Sequence, residues 1–315
     1  MPINTKIAFI FPGQGAQYVG MGQSFFENSS IARETFEEAD DLLGRKLSDI
    51  VLNGPDDILT HTKNSQTGIF VMSVAALRVL NQNFPELRPS YCAGLSLGEY
   101  TALHAAGAIS FENCLPLVQH RGQFMNDACE NTEGTMAVIL GLNAGVVEEI
   151  VSDLNMPNDL WVANFNCPGQ VVISGTVKGI EAGTLAAKEK GARRVMPLQV
   201  HGAFHSGLMK EAEERLKPYV ESADIKQGTA SLVMNVTGAV ESAVDLIKKN
   251  LVDQVTHSVR WEQGIRNLIE QEVDLFIEIG CGKTLSGFNK RIGVKVPTIS
   301  IEEPEDLAKI AEYLE

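Results

Sequence analysis

Positive charge is scarce in this chain: 26 Lys and Arg stand against 40 Asp and Glu, a formal net charge of -14. Binding to nucleic acid or to an anionic membrane needs a basic face, so the balance argues against both roles. Two local basic clusters remain, Lys188/Lys190/Arg193/Arg194 and Lys283/Lys290/Arg291, and either could meet an acidic partner. Paired cysteines are also lacking. The five cysteines (Cys92, Cys114, Cys129, Cys167, Cys281) are scattered, with no C-x-x-C pair and no histidine at ligand spacing. Neither a disulfide framework nor a zinc site is expected, and the thiols read as small buried residues in a reducing compartment. Long apolar runs are missing as well. In M-P-I-N-T-K-I-A-F-I-F-P-G the apolar stretch ends at Pro12 and Gly13, too soon for a signal peptide or a membrane span. It reads as the buried first strand of a cytoplasmic protein. There are no internal repeats, no low-complexity tracts and no linker long enough to separate independent domains.

What is present is an ordinary globular composition, 44% hydrophobic and 21% charged over 315 residues, enough for one large domain carrying a smaller one. Continuous apolar strands over 6–11, 90–93 and 275–279 alternate with helical segments, including 30–43, 64–83, 97–106 and 111–129. Strands without period-2 alternation are those covered on both faces of a parallel sheet. After about Asn131 the texture changes: strand 135–140, helix 145–154, strands 160–166 and 170–176, helix 178–190, strand 193–200. That order, β-α-β-β-α-β, is the split unit of ferredoxin-like modules. The tail returns to α/β texture, with a strand over 231–235, helices over 240–250 and 261–270, and a strand over 298–301. The expected fold is therefore α/β: a hydrolase-like parallel-sheet large domain (1–130 and 201–315) with an inserted ferredoxin-like small domain (131–200).

The densest chemical signal is Tyr91–Tyr100, Y-C-A-G-L-S-L-G-E-Y, which places Ser96 between Gly94 and Gly98 at a strand-to-helix turn. In a G-x-S-x-G elbow the serine sits on a strained turn, and a side chain at either glycine would collide with the neighbouring element. Its hydroxyl is left at a helix N-terminus, where free N–H groups favour developing negative charge. A second glycine-rich turn, P-G-Q-G-A-Q-Y, follows the first strand, but Tyr18 stands where a dinucleotide fingerprint needs its third glycine. It reads instead as a loop whose backbone approaches something closely, with Gln14 at its tip.

A serine nucleophile needs a base within hydrogen-bond reach. Of His61, His104, His120, His201, His205 and His257, the candidates are His201 and His205, which follow the small module where the chain re-enters the large one. No carboxylate or cysteine joins these two at ligand spacing, so a metal site is not expected. No Asp or Glu stands out to orient the imidazole, and a backbone carbonyl can serve, since the task is to fix ring and tautomer.

F-P-G-Q-G-A-Q, A-G-L-S-L-G-E-Y, H-R-G-Q-F-M, A-N-F-N-C-P-G-Q, G-A-F-H-S and I-E-I-G-C-G-K-T-L occur in one order along the whole chain. In that order and spacing the chain resembles the malonyl-CoA:acyl carrier protein transacylases and related acyltransferases of fatty acid and polyketide synthesis. The resemblance implies that Ser96 attacks the thioester, with His205 as its general base and the N–H groups of Gln14 and Leu97 as oxyanion hole. It implies that Arg121 holds the malonate carboxylate, that Gln254 supplies the carbonyl orienting His205, and that Phe204 marks selectivity against a methyl branch. The implied course is ping-pong, from malonyl-CoA through a malonyl-serine to the phosphopantetheine thiol of acyl carrier protein, with no cofactor or metal. An acyl hydrolase sharing the acyl-enzyme is the main rival, and Arg121 argues against it for simple acyl groups. The chain departs from the family pattern at Leu95, where most members have histidine, and at Ser258 and Cys281, where prolines are common. The first of these bears on acyl selectivity.

Overall fold

The computed structural model describes residues 5–200 and 202–314. Its central sheet has six strands in the order β10-β9-β1-β2-β7-β8. These are β1 (Ile7–Phe11), β2 (Tyr91–Gly94), β7 (Ser231–Met234), β8 (Ala239–Glu241), β9 (Leu275–Ile279) and β10 (Thr298–Ile301). The first strand lies inside the sheet, parallel to β2 on one side and β9 on the other, and all five of its residues are buried. That is why its sequence shows no polar alternation. Between β1 and β2 the helix Thr62–Asn83 runs through the core, with apolar side chains buried around most of its circumference.

One expectation fails at the sheet edge. The sequence pattern predicts a helix over 240–250, but Val240 lies in β8, which pairs antiparallel with β7, and the helix runs over Val244–Asp253. Gly238 (φ 61°) turns the chain back on itself two residues earlier, so Ala239–Glu241 completes a hairpin before the helix begins. The sheet is thus parallel with one antiparallel edge strand. Three short helices, Gln23–Asn28, Leu47–Asn53 and Asp56–Thr60, were also not anticipated, being too short to display a helical period.

The second sheet has four antiparallel strands, ordered β4-β5-β3-β6. They are β3 (Thr135–Leu140), β4 (Leu160–Cys167), β5 (Gln170–Gly175) and β6 (Arg194–Pro197), with the helices Ala144–Leu154 and Val177–Glu189 in the crossovers. This is the ferredoxin-like arrangement. The last strand is shorter than the expected 193–200, ending at Pro197, which has no N–H for the ladder. Main chain ties the small sheet to the segment between the helices Val244–Asp253 and Trp261–Glu270: Phe165 N donates to Val259 O (2.9 Å) and Val259 N to Ala163 O (2.8 Å). Ser258 adds a side-chain bond from Oγ to Val162 O (2.5 Å), a donor that proline could not supply. Among the described residues no helix is long and apolar enough to cross a membrane.

Candidate active site

Ser96 lies in the turn between β2, which ends at Gly94, and the helix Gly98–Ala105. Its φ is 52°, in the left-handed region that L residues avoid. The flanking glycines are required by contact. A Cβ on Gly94 would stand 1.9 Å from the carbonyl carbon of Gly98, and one on Gly98 would stand 2.3 Å from Phe11 O. Gly13 does the same for the other loop: a Cβ there would lie 2.2 Å from Leu95 O, so its absence lets the Gln14 turn press against the elbow.

His205 arrives from the loop after the small sheet, also left-handed (φ 57°) and buried. Its Nε2 stands 2.8 Å from Ser96 Oγ, and its Nδ1 stands 2.8 Å from the main-chain oxygen of Gln254. A carbonyl only accepts, so Nδ1 carries the proton and Nε2 turns its lone pair to the serine hydroxyl. Burial, and then the positive charge of Arg121, lower the His205 pKa from 6.5 to about 4, so the ring is neutral at physiological pH. The remaining described histidines lie elsewhere. His61 stands at the N-cap of the helix Thr62–Asn83, His104 bonds Ile109 O, His120 lies tilted against Tyr219 with ring centroids 3.9 Å apart, and His257 bonds Asp253 O. His201, the other candidate base, lies outside the described residues.

Arg121 sits in the helix Phe111–Asn131 and is 1% exposed, the largest fully buried side chain described. Nη2 donates to Ser96 Oγ (3.0 Å) and to Gln254 Oε1 (2.8 Å), while Nη1 donates to Gln66 Oε1 (2.6 Å). Its Nε is buried and has no partner among the described residues. Such an orphan donor on a buried cation is costly, and marks a place where an acceptor belongs. The N–H groups of Gln14 and Leu97 also have no partner within the described protein.

Of these groups, Gln14, Ser96 and His205 open onto a cavity of about 390 Å³ between the two sheets, and Arg121, Leu97, Gln66 and Gln254 are not part of its lining. Gln14, Leu95 and Ser96 line one side, Asn164, Asn166 and Val172 the other, and Phe204 and His205 lie on the loop that joins them. Leu95, where the sequence departs from its resemblance, puts an apolar side chain on this wall, and Cys281 is a buried thiol outside the cavity lining.

Three residues of the cluster were not singled out from sequence: Gln66, Glu99 and Asn235. The available signal was polarity in the wrong place. Asn64–Thr67 is a polar run that is buried in its helix, and Glu99 is a buried carboxyl in the helix Gly98–Ala105.

Residues 8–290 match the family described as an acyl transferase domain. The chain is 43% identical over 304 residues to the malonyl CoA-acyl carrier protein transacylase of Bacillus subtilis (strain 168), covering 96% of this chain and 95% of that one. Its structure is similar to that of an acyl-carrier-protein S-malonyltransferase from Burkholderia pseudomallei 1710b, with TM-score 0.92 and 40% identity over 98% of this chain and 100% of that one. It is similar also to a malonyl-transacylase solved in complex with a type II PKS acyl-carrier protein, with TM-score 0.93 and 35% identity over 98% and 100% of the two chains.

Proposed function

Because the chain belongs to the acyl transferase family and is an acyltransferase, we propose that it carries a malonyl group from malonyl-CoA to the phosphopantetheine thiol of acyl carrier protein through a malonyl-Ser96 ester. The observation that carries this reading is the line Gln254 O, His205, Ser96 Oγ, with the Arg121 guanidinium on the same serine oxygen.

As Ser96 Oγ attacks the thioester carbonyl, its proton passes to His205 Nε2 and the C–O bond forms. The carbonyl oxygen becomes an oxyanion facing the free N–H groups of Gln14 and Leu97. One such donor is worth roughly 3 kcal/mol of barrier. The intermediate collapses with cleavage of the C–S bond, and the CoA sulfur leaves with the proton from His205. The carrier thiol then repeats the steps in reverse, giving its proton to His205 as its sulfur takes the acyl carbon. Every bond and proton in the scheme is accounted for by Ser96, His205 and the two thiols, so it calls on no metal or redox cofactor.

Malonate differs from acetate by one carboxylate, and Arg121 is the group suited to it. Its Nε is the donor left over, since both N–H bonds of Nη2 are taken by Ser96 and Gln254; a carboxylate would pair with Nε and complete a two-bond contact by displacing one of those partners from Nη2. Phe204 adds bulk on the cavity wall against a branch at the α-carbon.

Intact mass spectrometry tests the proposal: malonyl-CoA alone adds one malonyl group to the wild type and none to Ser96→Ala, and holo carrier protein removes it. A wild type that gains no mass overturns the reading. Loss of the group to water at the same rate with and without carrier identifies a hydrolase instead.

A further inference from the structure

The serine elbow has a second layer of support that belongs to no catalytic step. β2 and β7 pair in parallel as far as Ala93 and Val233, and then β2 bends into the elbow, out of reach of the β7 main chain. At that point Asn235 takes over with its side chain. Its Nδ2 donates to Gly94 O (2.7 Å) and its Oδ1 accepts from Ser96 N (2.7 Å). A partner residue in a parallel ladder makes the same pair of bonds, to the oxygen before and the N–H after the residue it faces. Here that residue is Leu95, whose own N–H is held from the other side by Phe11 O (3.0 Å).

Glu99 ties this clasp to the base. Its carboxylate is buried and accepts from Asn235 N on Oε1 (2.5 Å) and from Gln254 Nε2 on Oε2 (2.6 Å). Gln254 in turn donates to Ser96 O (3.0 Å), and its main-chain oxygen holds His205. One carboxylate therefore bridges the residue that clasps the nucleophile and the residue that aims the base. Both oxygens face donors, which suits the ionised form, while burial pushes the group the other way, to about 8. A buried carboxyl of that kind is retained at a cost, and its side-chain hydrogen bonds among the described residues go to Asn235 and Gln254, which hold Ser96 and His205.

We propose that Asn235 and Glu99 are positioning residues: Asn235 replaces a rung of the β-ladder to hold Ser96 in its left-handed conformation, and Glu99 locks that clasp in register with the loop that orients His205. The proposal rests on the reading of Ser96 as nucleophile. It goes beyond that reading in assigning the precision of the Ser96 to His205 contact to two residues that touch no substrate.

Single-turnover malonylation of Ser96, followed by quenched mass spectrometry at saturating malonyl-CoA, tests it. Wild type, Asn235→Ala and the isosteric Glu99→Gln are compared on protein shown to be folded by circular dichroism. Glu99→Gln must turn an amide N–H2 toward one of the two donors, so it breaks one side of the bridge without changing volume. Each variant is expected to lose about 10- to 100-fold in the acylation rate constant, in the range that a small misplacement of reacting groups produces, with half-saturating malonyl-CoA changed less than about 3-fold. The double variant should lose little more than the worse single one, since both act through one bridge. Wild-type acylation rates in both folded variants, with only a lowered melting temperature, overturn the proposal and leave the pair as fold stabilisers. Should one variant fail to fold, the other decides. A wild type that does not label refutes the transacylase reading, a different failure from unchanged variant rates.

Discussion

Ser96 and His205 stand 2.8 Å apart through Oγ and Nε2, and both hold the left-handed backbone conformation, with φ of 52° and 57°. Among the described residues only four non-glycine positions have positive φ, and the others are Asn155, at a helix C-cap, and Glu272. Strain of this kind persists where the surroundings over-determine it. Here the surroundings are the glycine contacts at the elbow and the bonds from Asn235 and Gln254.

The depressed pKa of His205 gives a pH prediction. In the free enzyme kcat/KM should fall only as His205 takes up its proton, so the acid limb is expected near pH 4 rather than near 6.5. Arg121 contributes to the depression, so Arg121→Ala should move the limb upward. A wild-type limb at 6.5, measured with malonyl-CoA across a pH series, contradicts the buried neutral imidazole.

The same shift acts on stability, with the opposite outcome from a salt-bridged histidine. The folded state binds this proton less readily than the unfolded chain, so the contribution is complete above 6.5 and is lost as pH falls from 6.5 to about 4. Its full size is about 3 kcal/mol. Urea midpoints measured through that window should fall with pH, and less steeply for His205→Gln.

Arg121→Ala should reduce malonyl transfer by about 100-fold or more, the usual consequence of losing one partner of a buried charge-assisted pair. Transfer of acetyl, which has no distal carboxylate, should change much less. Equal loss of both substrates in steady-state assays shows that the arginine acts only through its bonds to Ser96, Gln66 and Gln254.

Phe204 is buried at 6% exposure and lines the cavity beside His205. Phe204→Ser opens the volume of a ring, and the preference for malonyl-CoA over methylmalonyl-CoA should fall by about 10-fold, the scale of one methyl group in a fitted pocket. An unchanged ratio of kcat/KM values places selectivity elsewhere on the wall, with Leu95 the next position to vary.

Gly94→Ala tests the elbow itself. The new methyl would meet main-chain carbon and oxygen of Gly98, both at 1.9 Å, and neither can turn aside as a side chain would. A loss of about 3 kcal/mol or more is expected by chemical denaturation. A near-neutral change means that the strand and helix can separate there.

Much of this was legible in the chain because it is written locally. Apolar runs such as Ile7–Phe11 and Leu275–Ile279 declare strands covered on both faces, and the β-α-β-β-α-β order appears in the succession of periods. The glycines at 94 and 98 declare the elbow through what their side chains would strike. What stayed illegible was also physical. A three-residue strand such as Ala239–Glu241 carries too few positions to show a period, and its pairing depends on a partner already in place.

The sequence by itself named candidates for the chemistry: a serine held in a glycine elbow, His201 and His205 after the small module, and, through the family resemblance, Arg121 in a helix. Those identities depend on side-chain type and on neighbours a few positions away. Only the tertiary structure decided what lies beside them. It buries Arg121 with an orphan Nε, lowers the His205 pKa by desolvation, and assembles Asn235, Glu99 and Gln254 behind Ser96 from positions up to 158 residues away. Burial and long-range hydrogen bonds are properties of the packed chain, and no local pattern encodes them.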